Sequence, residues 1–335
     1  MSARSQSSIQ PVALVDERLL EQYDGVSAFP HVSRTEVSGG NWLKIVITIA
    51  LVLGPFVGLV LAALVAWGRL LSIHDIVLGA VLYVITGLGI TLGFHRGATH
   101  GSFRSKRPLK VVMVVAGSMG FQGGVVEWVA THRRHHAFTD RPGDPHSPYR
   151  YGTGTWAQLR GLVHAHLGWL FRHDPTPVER YAPDLLRDPM MRRMGAAFPA
   201  FCVASLALPF FAGWLVTHEL HGAWTALLWA GLARVALLQH VTWSVNSLCH
   251  MFGERPYATR RYDRATNLWP LALLSFGESW HNGHHSDPTC AEHGRGRRQL
   301  DVSALALRGF ERLGWVDKVR WPHAEKTSAV NATPL

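Results

Sequence analysis

A chain of 335 residues that is 47% hydrophobic and only 17% charged is too apolar for an ordinary soluble domain. Its formal charge of +10 surrounds apolar segments and forms no basic run interleaved with aromatics, which excludes nucleic acid as a partner and points to a membrane. Cys202, Cys249 and Cys290 have no CxxC spacing and do not make an even set, which argues against a disulfide framework or a zinc ribbon.

Residues 1–41 read as a polar N-terminal tail without a signal-peptide pattern. Leu43 to Trp67 is apolar except for Lys44, and at about 1.5 Å rise per residue it exceeds the roughly 30 Å hydrocarbon layer. It is the first expected span (43–67), with Pro55 a site for a kink. Residues 76–94 form a second span without a charge, and His95 follows at once. Leu109 to Phe121 is apolar but too short to cross, so it is expected at the interface or packed against a metal domain. Residues 195–216 and 223–245 are the third and fourth spans, and the last continues as helix through Asn246 to His250. Arg234, Gln239 and His240 lie inside it, where polar groups are costly and face protein or a cavity.

Fifteen Lys and Arg lie from Arg96 to Arg193 and twelve follow the fourth span, against one between the first two spans and none between the last two. The positive-inside rule then places both termini and the middle loop in the cytoplasm. Residues 42–300 make one membrane domain, and 301–335 read as a peripheral C-terminal segment whose Val302 to Trp321 stretch is amphipathic. The expected fold is all-α, integral to the membrane, with four transmembrane helices and a cytosolic helical di-metal domain.

The chemistry lies in histidine. His132, His135 and His136 form an HxxHH motif whose imidazoles leave one helix face and can converge on metal, and the spacing returns as His281, His284 and His285. His95 and His100 are five apart, poor spacing for a regular helix, so the helix is expected to end or loosen between them. Asn246 and His250 are one turn apart at the end of the fourth span. His250 is a ninth candidate ligand, and Asn246 is a candidate through a bound water. Nine imidazoles shared by two metals give four or five each with a position left open, although imidazole suits iron, copper and zinc alike. His146, His164, His166 and His173 fall outside the tight spacings and read as supporting or surface residues. Trp128, Trp243 and Trp280 sit beside ligand positions and are candidates to line a substrate tunnel.

HRGATH, EWVATHRRHH, DPH, HLGW, VNSLCHMFGERPY and GESWHNGHH, in this order over about residues 75 to 290, resemble the membrane-bound fatty acyl desaturases, specifically the bacterial form of the acyl-CoA delta-9 (stearoyl-CoA) type. The resemblance implies a four-span mushroom in the bacterial inner membrane with two iron ions on its cytoplasmic side. It implies ligand roles for His95, His100, His132, His135, His136, His250, His281, His284 and His285, with Asn246 acting through water. It also implies dioxygen as co-substrate and a long-chain acyl thioester desaturated at delta-9. Where acyl-CoA members usually carry Arg-Asp, this chain has Ala130-Thr131, a departure at the headgroup and not at the metal. Arg133, Arg134 and Arg141 are the expected phosphate partners of coenzyme A, with phospholipid and carrier protein as alternative acyl carriers. The chain shows no cytochrome b5-like haem domain, ferredoxin cysteine pattern or dinucleotide fingerprint, so electrons are expected from a separate ferredoxin-like or cytochrome b5-like donor and its reductase. Two other readings remain open here: an alkane or lipid hydroxylase, told apart by product mass, and a His-rich metal transporter, told apart by metal flux instead of retention.

Overall fold

The computed structural model describes residues 41–66, 71–172 and 174–322. Most of the expected N-terminal tail, Trp67, His173 and residues 323–335 lie outside the described residues. Asn41 already belongs to the first helix, α1 (Asn41–Leu61), which runs through Pro55 and widens into a π-helical turn at Ala62–Ala66.

The second helix, α2 (Ile73–Leu88), starts at a capping box: the Asp75 amide donates to Ser72 Oγ at 3.2 Å, and the Ser72 amide donates to Asp75 Oδ2 at 3.1 Å. It continues as a π-helix over Gly89–Thr99. The expected loosening therefore begins before His95 and takes this form. An i to i+5 repeat aligns residues five apart, and it brings the His95 and His100 rings to 4.9 Å.

The short apolar stretch is α3 (Arg107–Ser118), which packs against this π-helical segment instead of crossing. Glycine permits the approach, since a Cβ on Gly89 would fall 2.2 Å from the Gly117 nitrogen. Then come α4 (Val125–Phe138), α5 (Thr155–His166), a 3₁₀ turn at Gly168–Phe171, and three short helices, α6 (Val178–Tyr181), α7 (Pro183–Arg187) and α8 (Pro189–Ala196). Val114 of α3 joins Val125, Val126 and Val129 of α4 around Phe94, so the cap is seated on the end of the second helix.

Among the described residues, three helices are long and apolar enough to cross a membrane: Ile45–Leu64, Ile73–Thr99 and Phe198–Thr217, the last being α9. The fourth expected span is helical, running as α10 (Leu220–Ala226), a π-helical stretch (Leu227–Ala233), α11 (Arg234–Ser247) and a 3₁₀ turn at Leu248–His250. It falls short of the same standard because it is more polar, and its surroundings explain that. Val235, Ala236, Leu238, Gln239 and Trp243 are buried, whereas α1 and α9 leave Val46, Val57, Val203 and Leu215 exposed. A helix enclosed by others can keep polar side chains that find partners.

Arg234 has them. Its Nε donates to Ala230 O at 3.0 Å and Nη2 to Ser205 O at 3.1 Å and Ser205 Oγ at 2.9 Å, while Nη1 reaches Met119 O at 3.4 Å. The guanidinium thus ties the fourth helix to α9 and to the end of α3 through carbonyls, not through a carboxylate. Gln239 Nε2 similarly donates to Leu51 O of α1 at 2.9 Å.

The described part of the C-terminal segment, residues 301–322, packs against the rest of the protein. Helix α12 (His281–Ser286) leads to α13 (Val302–Arg312), which is amphipathic as expected. Leu307 is fully buried with Leu92, Phe103 and Met113, and Ser303 Oγ donates to Thr91 Oγ1 at 2.7 Å. Strands β1 (Arg104–Ser105) and β2 (Val316–Asp317) pair antiparallel and clamp the segment to the loop after the second helix. The three cysteines are buried and free.

Arg234→Leu is expected to strand the Ser205 carbonyl, at a cost of about 1–3 kcal/mol, whereas Met119 O keeps the Ser205 hydroxyl as its donor at 2.7 Å. The check is a lowered thermal midpoint of the purified membrane protein with its metal content unchanged.

Candidate metal centre

Four elements deliver the histidines: the π-helical end of the second helix, α4, the 3₁₀ turn closing the fourth helix, and α12. One group of donors is His95, His100, His132, His136 and His284, with the ligating atoms all within 4.8 Å of one another. A second, within the same limit, is His135, His250, His281 and His285. All nine sequence candidates are brought together, but neither HxxHH motif stays whole. On α4, His132 and His136 enter the first group and His135 the second. On α12, His284 enters the first, and His281 and His285 the second. Residues four apart share a face, while the third member points aside by about a sixth of a turn, so each motif bridges the two groups.

Buried carboxylates fix how these rings are protonated. His135 Nδ1 lies 3.0 Å from both Asp144 oxygens, His250 Nδ1 2.9 Å from Asp140 Oδ2, His285 Nδ1 2.8 Å from Asp263 Oδ2 and His95 Nδ1 2.5 Å from Glu278 Oε2. A neutral imidazole has one N–H, and a carboxylate acceptor draws it to Nδ1, leaving an Nε2 lone pair aimed into the group. Those lone pairs face each other. His281 Nε2 is 3.1 Å from His250 Nε2 and 3.0 Å from His285 Nε2, and it can donate to only one of them. In the first group, Nε2 contacts of 3.1, 3.0 and 3.0 Å run from His95 to His284 to His136 to His132. His135 Nε2 is buried without any partner. Burial, reinforced by neighbouring imidazoles, holds His100, His132, His136, His281, His284 and His285 well below the usual imidazole pKa, which keeps them neutral. Converging lone pairs on neutral, oriented rings fit a cation at each group.

Glu278 is itself held. Fully buried Arg96 donates from Nε and Nη2 to Glu278 Oε1 at 3.1 and 2.9 Å, and from Nη1 to Asp301 Oδ2 at 3.1 Å and Ala291 O at 2.7 Å. Asp301 also caps α13, accepting from the Ala304 amide at 2.9 Å. His293 Nδ1 sits 3.3 Å from Glu278 Oε2. The sequence reading missed Asp140, Asp144, Asp263, Glu278, Arg96 and His293. Several of them lie within or beside the histidine motifs, and that proximity was the available signal.

An apolar cavity of about 200 Å³ reaches this centre. Leu51, Val52, Ile90, Leu238, Val241 and Phe276 form walls, and His95, His132, His281 and Glu278 belong to the same lining. Trp128, Trp243 and Asn246 line it. Trp280 is turned away instead: its indole Nε1 donates to Leu300 O at 2.8 Å. His146 packs on His135 with ring centroids 4.4 Å apart, and His164 and His166 lie further out.

The arginines expected to meet phosphate have partners within the protein. Arg133 forms ion pairs with Asp184 at 2.6 and 3.0 Å and donates to Ala98 O and Tyr181 O, and Arg134 pairs with Asp174 at 3.1 and 3.0 Å. Both guanidinia thus already have a carboxylate partner. Arg141 donates to Ala137 O at 3.0 Å.

The fatty acid desaturase family model matches residues 72–299, a stretch that contains every histidine of both groups. The chain is 37% identical over 72% of its length to an sn-1 stearoyl-lipid 9-desaturase of Anabaena variabilis, covering 82% of that protein. It is 36% identical over 82% of its length to a hex-5-enoyl-[acyl-carrier protein] acetylenase of Moorena producens (strain JHB), covering 86% of it. It is likewise 36% identical over 72% of its length to delta-9 acyl-lipid desaturase 1 of Arabidopsis thaliana, covering 74%. The oriented imidazoles, the cavity that they help to line and these similarities together make the chain a member of the fatty acid desaturase family.

Proposed function

We propose that the protein inserts a double bond into a saturated long-chain acyl group at delta-9, in the membrane, using two irons held by the nine imidazoles, with Asn246 acting through water. The observation that carries this reading is the meeting of two oriented histidine groups with one apolar cavity. When bound, the irons supply the redox chemistry by which two electrons, two protons and dioxygen remove two hydrogens from adjacent methylenes and yield two waters. The chain's own residues decide which methylenes react. Neighbouring CH₂ groups are chemically alike, so selection rests on position, and a cavity walled by Leu238, Val241 and Phe276 holds the chain by burial worth roughly 0.8 kcal/mol per methylene.

The acyl carrier is a membrane lipid in this reading. Arg133 and Arg134 already have carboxylate partners, Ala130-Thr131 departs from the acyl-CoA pattern, and two of the relatives above are named for acyl-lipid desaturation. The fourth helix is the fourth span, with both termini and the metal centre cytoplasmic. A separate acidic ferredoxin-like or cytochrome b5-like protein brings electrons to that face, where fifteen basic residues stand against seven acidic ones between His95 and Arg193. Both metal groups lie together beside the cavity, a poor arrangement for transport along the membrane interior.

Purified protein is expected to hold two irons per chain, and His135→Ala or His284→Ala to abolish turnover while leaving the protein in the membrane. Full activity in either variant, or one metal per chain, would refute the reading. Asp263→Asn is expected to weaken metal retention by about 10- to 100-fold, read as metal content after timed chelation. Expression in a host lacking its own desaturase, with double-bond localisation in stearoyl lipids, is expected to show the delta-9 product. Label fed as acyl-phospholipid should be desaturated before label fed as acyl-CoA. Hydroxylated product would favour the hydroxylase reading.

A further inference from the structure

One wall of the cavity is formed by α1, whose residues Val46, Val57 and Leu61 are exposed and apolar. The Gly168–Phe171 turn packs against α1, and Trp169 and Leu170 on that turn line the cavity opposite Thr48, Leu51 and Val52 of α1. Helix α5 leads into the turn and is bolted to the fourth helix. His166 Nε2 lies 3.0 Å from His240 Nδ1, and His166 Nδ1 lies 3.1 Å from Ser247 Oγ. Its inner residues Gly161, His164 and Ala165 are buried. Its outer stripe is Trp156, Leu159 and Val163, with Trp156 83% exposed, and beside them the Arg160 guanidinium lies 4.2 Å from the Tyr151 ring centroid. Exposed Trp and aliphatic side chains with an Arg and a Tyr at the edge are what a headgroup boundary accepts.

At this mouth a donor stands unused. Trp169 Nε1 is shut off from solvent and has no acceptor among the described residues. Indole nitrogen only donates, and leaving it buried without a partner is costly. A saturated acyl chain filling the cavity offers one strong acceptor, the carbonyl at its carboxyl end. Gln122 Nε2 on the wall also lacks a partner, but its amide can turn, whereas the Trp169 N–H direction is fixed by its ring. That ring packs on His146 at 5.3 Å, and His146 packs on His135 at 4.4 Å, so the indole stands two ring contacts from the second histidine group.

We propose that the Trp169 indole N–H donates to the ester carbonyl of an acyl chain still attached to a glycerolipid, which enters sideways between α1 and the Gly168–Phe171 turn. The anchor then sets which carbons reach the metals. This inference rests on the desaturase reading and deepens it by assigning the entrance and the residue that measures the chain.

The test uses the full-length protein in phosphatidylcholine vesicles carrying one stearyl chain in either ester or ether linkage, with electrons from a ferredoxin and its reductase. The ether lacks the carbonyl. Trp169→Phe, which keeps the aromatic bulk and deletes the donor, is expected to lower kcat/KM about five- to tenfold on the ester and to change it little on the ether. Its product double bonds should spread to neighbouring positions on the ester. Equal losses on both lipids would overturn the proposal. If the variant fails to reach the membrane, the wild type still decides, because equal kcat/KM for ester and ether would overturn it as well. Desaturation of acyl-CoA with no action on either lipid would overturn the proposal and leave the desaturase reading standing. No unsaturated product from any carrier would instead refute the desaturase reading.

Discussion

The structure depends on one electrostatic constraint: imidazole lone pairs about 3 Å apart repel unless something positive lies between them. Buried carboxylates enforce that geometry. Asp140, Asp144, Asp263 and Glu278 draw the ring protons outward and leave the inner nitrogens bare. Such an arrangement costs folding energy without a cation and returns it when one binds. The distant packing serves it. Arg96 and Asp301 steady Glu278 from behind, and the C-terminal helix that Asp301 caps is fastened over the second helix by Leu307 and the β1–β2 pair.

Much of this was legible in the sequence because spacing and geometry are linked on a helix. Nine histidines stand out in HxxHH and its companions, and they fall into groups of five and four whose donor atoms converge. Which histidine serves which group was not legible, since that follows from the angle at which α4 and α12 face each other. The carboxylates escaped for a related reason. Asp140 meets His250 across 110 residues and Arg96 meets Glu278 across 182, and no periodicity records such pairings. Amphipathicity at the C-terminus marked a helix with an apolar side but not its partner, which for Leu307 of α13 is Leu92, Phe103 and Met113. Counting basic residues also could not show that Arg133 and Arg134 pair with Asp184 and Asp174.

Polarity in the fourth helix is another consequence of packing. Arg234 and Gln239 look out of place in an apolar segment, yet both donate to carbonyls of neighbouring helices. They hold that helix against α1, α3 and α9. Because Leu238, Val241 and Trp243 on the same helix line the cavity, and His250 at its end belongs to the second histidine group, one rigid element relates substrate position to metal position.

The most direct test of this account is anomalous diffraction at the iron edge from crystals of the purified, iron-loaded protein. The account predicts two peaks per chain, one among His95, His100, His132, His136 and His284 and the other among His135, His250, His281 and His285. A single peak, or peaks lying outside both groups, would contradict it.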